Sequence, residues 1–497
     1  MEVDVAIIGA GFAGVGTGIE LARRGRESFV ILERGPAIGG TWRDNRYPGV
    51  SCDIPSHLYC FASRPNPNWS ARFAPGAEIQ AYLQRCAREE GLEPHIRLNA
   101  EVDDARWDGD AWRLSSQSGE YRARTLVVAT GRLSEPRIPA PAGLLEFTGD
   151  IFHSARWDDS VRLAGRRVGV VGSGATAAQI VPALAGVAES LVVFQRSPPY
   201  VVPRGDHEYS DAERAGFRAD PAGLRVLREQ LFLEAEAGLG ARRRVQPDLD
   251  DLRRRALDHL AAQVPDRALR ARLTPDYEIG CKRVVISDDF YPALSRSDVS
   301  LEASPLHHFD GAAAVSLAGG AHDLDVVILA TGFLSTRPPI AARISGRDGV
   351  VLADRWRTGM FAFASTTVHG FPNLFVLDGP NASLGHNSAV HMIESQISYL
   401  AGALDHLAAD ASAVLEIPLA AERAYVAELE AMSADTVWLQ GGCNSWYVDE
   451  RSGRLTLLWP DSAQSFRDRN GRFDPEPYQR SSGARGSASG SCAGAPG

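Results

Sequence analysis

Val3-Asp4-Val5-Ala6-Ile7-Ile8-Gly9-Ala10-Gly11-Phe12-Ala13-Gly14, near the start of the chain, is the stretch on which the fold turns. A short run of β-branched and apolar residues leads into glycines spaced G-x-G-x-x-G. Val15 to Arg24 then carries a helical pattern, Gly25 stops it, and Ser28 to Leu32 reads as a second strand ending at Glu33. Strand, glycine turn, helix and strand in that order predict a βαβ unit. In such a turn the first glycine allows the tight bend, the second lets backbone approach a pyrophosphate, and the third lets helix and strand pack closely, leaving phosphate at a helix N-terminus. Glu33, at the end of the second strand, is suited to accept from ribose hydroxyls.

The pattern occurs a second time. Arg167 to Val171 reads as strand, Gly172-Ser173-Gly174-Ala175-Thr176-Ala177 as turn, Ala178 to Leu184 as helix and Leu191 to Phe194 as strand. Gly172 precedes Arg196 by the interval that separates Gly9 from Glu33, so a guanidinium stands where the first unit has a carboxylate. Glu33 would repel a 2'-phosphate, whereas Arg196 offers it charge and planar donors, so the second site is expected to prefer NADPH over NADH. The first, with its acid at the N-terminus of the chain, is the natural FAD site. Gly9, Gly11, Ala13, Gly14 and Glu33 are the expected FAD contacts, and Gly172, Gly174, Ala175, Thr176, Ala177 and Arg196 the expected NADP contacts.

At 497 residues, 44% of them hydrophobic, the chain is long enough for two or three domains. The net charge of -10, with basic clusters such as Arg242-Arg243-Arg244 and Arg253-Arg254-Arg255 set among acidic neighbours, argues against nucleic-acid binding. Cys52, Cys60, Cys86, Cys281, Cys443 and Cys492 form no CxxC pair and no metal-ligand spacing, which predicts neither a disulfide framework nor a metal site. His307-His308 lacks a third ligand at recognisable spacing. With no basic n-region after Met1 and no apolar run of membrane-spanning length, a reducing cytoplasm is the expected location.

Thr125 to Ala129 and Asp325 to Ala330 read as return strands, each before a Thr-Gly, closing the stretches opened by the two glycine turns. Ser210 to Arg272, rich in Ala, Leu, Arg and Glu, reads as a helical insertion. The apolar Asn373 to Leu377 and the helical Val390 to Leu400 are expected to complete the first unit. The predicted class is α/β, with two Rossmann-like dinucleotide-binding domains and a helical insertion. Residues 1–150 and 336–480 form the FAD part, and residues 151–335 form the NADPH part, with the insertion at about 205–275. Ser481 to Gly497 is Gly, Ser and Ala without apolar bulk and is expected to be disordered.

A flavin beside NADPH implies hydride transfer to the flavin and a second use of the electrons. A disulfide reductase would need a redox cysteine pair, and none stands at a usable spacing. Phe147-x-Gly149-x-x-x-His153-x-x-x-Trp157-Asp158, between the two turns, resembles the fingerprint of the Baeyer-Villiger monooxygenases (class B flavoprotein monooxygenases, type I). The resemblance extends through Gly39-Gly40-Thr41-Trp42, Arg46-Tyr47-Pro48-Gly49, Cys52-Asp53, His57-Leu58-Tyr59, Gly280-Cys281-Lys282-Arg283 and Ala330-Thr331-Gly332-Phe333. It continues in Gly379-Pro380-Asn381, Gly385-His386-Asn387-Ser388, Cys443-x-Ser445-Trp446-Tyr447 and Leu458-Trp459-Pro460.

What the resemblance implies is a reaction: NADPH reduces FAD, oxygen adds to give a C4a-peroxyflavin, and its attack on a ketone gives a Criegee adduct that rearranges to an ester or lactone. Such a site needs a fixed cation that cannot act as an acid, and arginine satisfies that where lysine does not. By resemblance that cation is Arg283, oriented by Asp53. Lys282, Arg196 and Ser197 would grip the 2'-phosphate, and Ser51, Cys52 and Asp53 would approach the nicotinamide. Thr41, Trp42, Asp53, Tyr59 and Val102 would line the FAD, and Trp446 resembles a mobile-loop tryptophan that closes over NADP. His153 is expected to hold a hydrogen bond in the linker rather than act as a base, since this chemistry has no obvious proton for it to abstract.

Two departures from the family pattern concern nicotinamide approach or substrate preference: Ser51 replaces an arginine common beside Cys-Asp, and Ser297-Asp298-Val299 replaces a frequent Pro-Asn-Val. An N- or S-oxygenating flavin monooxygenase stays open as an alternative, as does a non-oxygenating NADPH-oxidising flavoprotein. Molecular oxygen and a small-molecule ketone are the expected partners. The ketone's identity stays open, because loops build the pocket walls, and the choice between monomer and homo-oligomer stays open as well.

Overall fold

The computed structural model describes residues 1–480; the expected disorder of 481–497 concerns residues outside that range. Two sheets organise the chain. In the first, Ile344–Ser345, Val102–Trp107, Trp112–Ser116, Gly119–Val128, Glu2–Ile8, Phe29–Leu32 and Ile96–Arg97 lie side by side in that order, and Leu374–Val376 also pairs with Gly119–Val128. The second is wholly parallel, in the order Val299–Glu302, Ser190–Phe194, Arg167–Val171, Val326–Leu329 and Asp150–His153. This is the expected α/β class with two Rossmann-like units.

Alternation along the strands explains why both faces of each sheet are covered. In the first sheet Val5, Ile7, Phe29, Ile31, Val127 and Phe375 enter one core, while Ala6, Ile8, Val30, Leu32, Leu126 and Val128 enter another. The second sheet divides in the same way, with Val168, Val170, Val193, Val326 and Ile328 on one side and Val192, Phe194, Val327 and Leu329 on the other. Both glycine turns leave the carboxyl end of a strand flanked by parallel neighbours, where a doubly wound sheet opens a crevice.

The helices after the turns begin earlier than the apolar pattern indicates, at Phe12–Arg23 and Ala175–Leu184. The insertion consists of helices Asp211–Ala219, Pro221–Glu236, Leu239–Arg242, Asp248–Gln263 and Arg267–Leu273. Tyr209 and Leu231 pack into one core of the first sheet, and Ala241, Leu249 and Ala256 pack into the other. Ala389–Ala409 is a longer helix than expected, and it covers the first sheet through Val390, Ile393, Ile397 and Leu400. Among the described residues no helix is long and apolar enough to cross a membrane.

The cysteine reading needs correcting. Cys281 and Cys443 are joined in a disulfide across a sequence separation of 162, while Cys52, Cys60 and Cys86 are free and buried. Local spacing could not show a pair that only tertiary packing brings together.

Candidate active site

One cavity of about 850 Å³ runs from the first glycine turn to the second. Gly9, Gly11, Ala13, Glu33, Thr41, Trp42, Asp53, Tyr59 and Val102 line it on one side, and Ser51, Cys52, Gly172, Gly174, Ala175, Thr176, Arg196, Ser197, Lys282, Arg283 and Trp446 on the other. Two expected contacts are not on its wall. A Cβ at Gly14 would stand 1.8 Å from Gly9 O, so this glycine serves helix-strand packing, and Ala177 is wholly buried in the core of the second sheet. Gly14 and Ala177 thus stand behind the cavity wall, in the packing of helix on strand.

The first turn suits a dinucleotide. Gly9 has φ of +105°, and a Cβ there would meet Ala129 O at 2.6 Å. Glu33, 4% exposed, accepts from Ala10 N and Gly35 N at 2.8 Å each and from Arg43 Nη1 at 2.5 Å. Its carboxylate is thus fixed beside the turn. Trp42 Nε1 donates to Tyr59 OH at 3.3 Å, and Tyr59 also packs edge-on against Phe12, making a rigid aromatic wall. Burial raises the Tyr59 phenol well above its ordinary value, so it stays neutral.

The second turn differs in a telling way. A Cβ at Gly174 would meet nothing within 4 Å, because this backbone faces the open cavity at the start of helix Ala175–Leu184. Lys282 Nζ donates to Ser197 Oγ at 2.5 Å and stands 4.7 Å over the Tyr277 ring. Burial and the neighbouring Arg196 both lower the Lys282 ammonium. Arg196 is exposed and makes no ion pair among the described residues. Two neighbouring cations of this kind could hold a multiply charged anion such as a 2'-phosphate.

Between the two turns lies the Asp53 and Arg283 pair. Arg283 Nε donates to Asp53 Oδ2 at 2.6 Å, with the side chains 25% and 30% exposed. Burial alone would raise the Asp53 carboxyl, but Arg283, joined by Arg204, holds it below its ordinary value. For Arg283 burial opposes the charge, and Asp53 and Tyr447 outweigh it, so the guanidinium is a permanent cation.

The fingerprint itself does not line the cavity. A Cβ at Gly149 would stand 2.4 Å from Asp325 O, Phe147 packs on Phe309, and Trp157 packs on Phe152 and Tyr47. His153 Nε2 donates to Gly332 O at 3.0 Å while Nδ1 accepts from Ala155 N at 3.1 Å. Burial lowers this imidazole to about 4, so it is neutral near pH 7. Its bond joins the two chain crossings between the sheets.

Several neighbours were not foreseen. Arg132 pairs with Asp378 on the cavity wall. Arg204 Nη2 donates to Ser51 Oγ at 3.0 Å and to Cys52 O at 3.3 Å, with its guanidinium 4.8 Å over the Phe73 ring. Gln179, on helix Ala175–Leu184, donates to Ser51 O at 2.9 Å and accepts from Tyr47 OH at 3.0 Å. Arg132 directly follows the Thr130-Gly131 ending of a return strand, a local signal of its place beside the site, but nothing local marks Arg204 or Gln179.

Comparison with known proteins places this geometry. Residues 6–209 match the family model described as pyridine nucleotide-disulphide oxidoreductase. A protein of Streptomyces coelicolor named Baeyer-Villiger monooxygenase is 43% identical over 481 residues, covering 96% of this chain and 92% of the relative. A solved oxidized steroid monooxygenase bound to NADP superposes with a TM-score of 0.82 at 30% identity, covering 94% of this chain and 97% of that one. OTEMO in complex with FAD and NADP gives a TM-score of 0.82 at 27% identity, with the same coverage.

Proposed function

Because this chain belongs to the Baeyer-Villiger monooxygenases and is a flavoprotein monooxygenase that uses FAD, NADPH and molecular oxygen, we propose that it inserts one oxygen atom beside the carbonyl of a small ketone, giving an ester or lactone. The observation that carries this reading is the Asp53 and Arg283 pair on the cavity wall.

Bound FAD supplies oxygen activation, with NADPH as the source of electrons. The rest falls to the protein. When an oxygen nucleophile adds to a carbonyl, the carbonyl oxygen gains a full negative charge, and a cation already in place stabilises it without reorganisation. Arg283 meets that requirement: Asp53 engages its Nε, which leaves the terminal amino groups for the developing oxyanion, and the guanidinium does not release a proton to quench the nucleophile. A lysine at this position could act as an acid.

Glu33 orients the FAD adenosine ribose, and Gly9, Gly11 and Ala13 admit the pyrophosphate at the N-terminus of helix Phe12–Arg23. Thr41, Trp42, Tyr59 and Val102 wall the flavin. Arg196, Lys282 and Ser197 hold the NADPH 2'-phosphate, Gly172, Gly174, Ala175 and Thr176 hold its pyrophosphate, and Ser51 and Cys52 meet the nicotinamide, with Trp446 above. The division into a FAD unit of residues 1–150 and 336–480 around an NADPH unit of 151–335 is supported by strands that leave the first sheet after residue 128 and rejoin it at 344.

The test incubates purified protein with NADPH, oxygen and a panel of ketones, a thioether and an amine, with products identified by mass. Esters or lactones are expected, and oxidation of only sulfur or nitrogen would overturn the reading. Arg283→Ala should lower ester formation by about 10²-fold or more while FAD stays bound. Undiminished ester from that variant would remove Arg283 from the mechanism.

A further inference from the structure

The disulfide Cys281–Cys443 lies between two loops that both reach the cavity. Cys281 directly precedes Lys282 and Arg283, and Cys443 stands three residues before Trp446 and four before Tyr447, with a Cα–Cα distance of 6.2 Å. Lys282, Arg283, Asn444, Trp446 and Tyr447 all line the cavity. Glu278 N donates to Gly441 O at 2.9 Å beside the bond, and the side chain of Tyr447 lies against Arg283. Apart from the bond, the second loop is held at its far end, where Ser445 and Tyr447 are buried and Thr456 N donates to Tyr447 O at 3.3 Å. It opens on Gly441-Gly442, with φ of +71° at Gly442, and continues through the exposed Asn444 to Trp446, 40% exposed.

We propose that Cys281 and Cys443 are positioning residues whose bond is a reducible tether, holding the Trp446 and Tyr447 loop over NADP and against the loop that bears Arg283. The proposal rests on the role argued above for Arg283. Its chemistry is thiol exchange with a dithiol reductant. A thiolate attacks the sulfur of Cys443, the partly exposed partner, and the bond to Cys281 breaks, leaving the buried Cys281 sulfur to take a proton. The second thiol of the dithiol then displaces Cys443. The chain gains two electrons and two protons, and the dithiol becomes a disulfide.

Tethered, the loop closes the cavity over NADP and excludes water. Released, it samples open positions, and electrons taken from NADPH escape to hydrogen peroxide rather than to product. The enzyme is therefore expected to pass between coupled and uncoupled turnover with the redox state of one bond.

The test uses the full-length, FAD-loaded enzyme, oxidised with oxidised glutathione, then reduced with dithiothreitol, then reoxidised. Peptide mass spectrometry after alkylation should show the 281–443 cross-link in the first and third states and two alkylated thiols in the second. Reduction should raise the KM for NADPH and lower ester formed per NADPH by about tenfold, reversibly and with FAD content unchanged. The double variant Cys281→Ser, Cys443→Ser should behave as reduced wild type and ignore dithiothreitol. If that variant fails to fold, the reversible wild-type cycle decides alone. Absence of the cross-link after oxidation, or equal KM and equal ester yield in both states, would overturn the tether. Should no ester form in any state, the ketone reading is at fault. The tether is then decided by trypsin cleavage at Arg451 and Arg454, faster in the reduced form if the loop is released and equal if it is not.

Discussion

Asp53 is charged in the active site because Arg283 and Arg204 outweigh its burial. The sign of the resulting pH dependence follows directly. A carboxyl depressed by folding contributes its ion pair fully above its ordinary value, about 3.9, and loses it only as pH falls below that. Ester formation should therefore show no inflection due to Asp53 between about pH 5 and pH 7. Asp53→Asn, which keeps the shape and removes the charge, should lose ester while retaining FAD. A kcat/KM profile with an inflection near neutrality that vanishes in Asp53→Asn would contradict this. Residues such as Asp53 and Arg283 were legible because short motifs flank them. Arg204 was not, since its bonds to Ser51 and Cys52 span about 150 residues of chain.

At the scale of elements, the glycine turns were the most readable part of the chain, because backbone conformation and close approach leave few residue choices. The structure separates glycines that build from glycines that bind. A methyl group at Gly14 would overlap Gly9 O, whereas one at Gly174 would enter open cavity. Gly14→Ala should lose about 1–3 kcal/mol of stability and part of its FAD, measured by thermal melting and flavin absorbance. Gly174→Ala should melt like the parent with full FAD and raise the KM for NADPH. Matching behaviour of the two variants would show that the distinction is wrong. The pattern missed the first residues of both helices because the residues just after the glycines carry no apolar periodicity of their own.

For the molecule as a whole, the two nucleotide units must be registered so that hydride can pass from one cofactor to the other. Gln179 makes that registration, fixing Ser51 and Tyr47 to the helix that follows the second turn. Gln179→Ala should slow FAD reduction by about tenfold in stopped-flow absorbance, with NADPH affinity nearly unchanged since the phosphate socket is untouched. Equal reduction rates would remove Gln179 from this role. Contacts of this kind, like Cys281–Cys443 and Arg132 with Asp378, were hidden from sequence reading because each joins residues distant in the chain. The outermost strand of the second sheet adds a different consequence. Asp150–His153 pairs in parallel with Val326–Leu329. Just outside them the two connecting segments run antiparallel, Pro136 bridging Phe333, with Arg137 N donating to Gly332 O at 2.8 Å and Leu334 N to Glu135 O at 2.9 Å, so the chain enters and leaves this unit side by side. A unit whose ends meet at one spot is a natural cassette: another nucleotide-binding module could be grafted there, or the chain recut within it, without moving the host sheet.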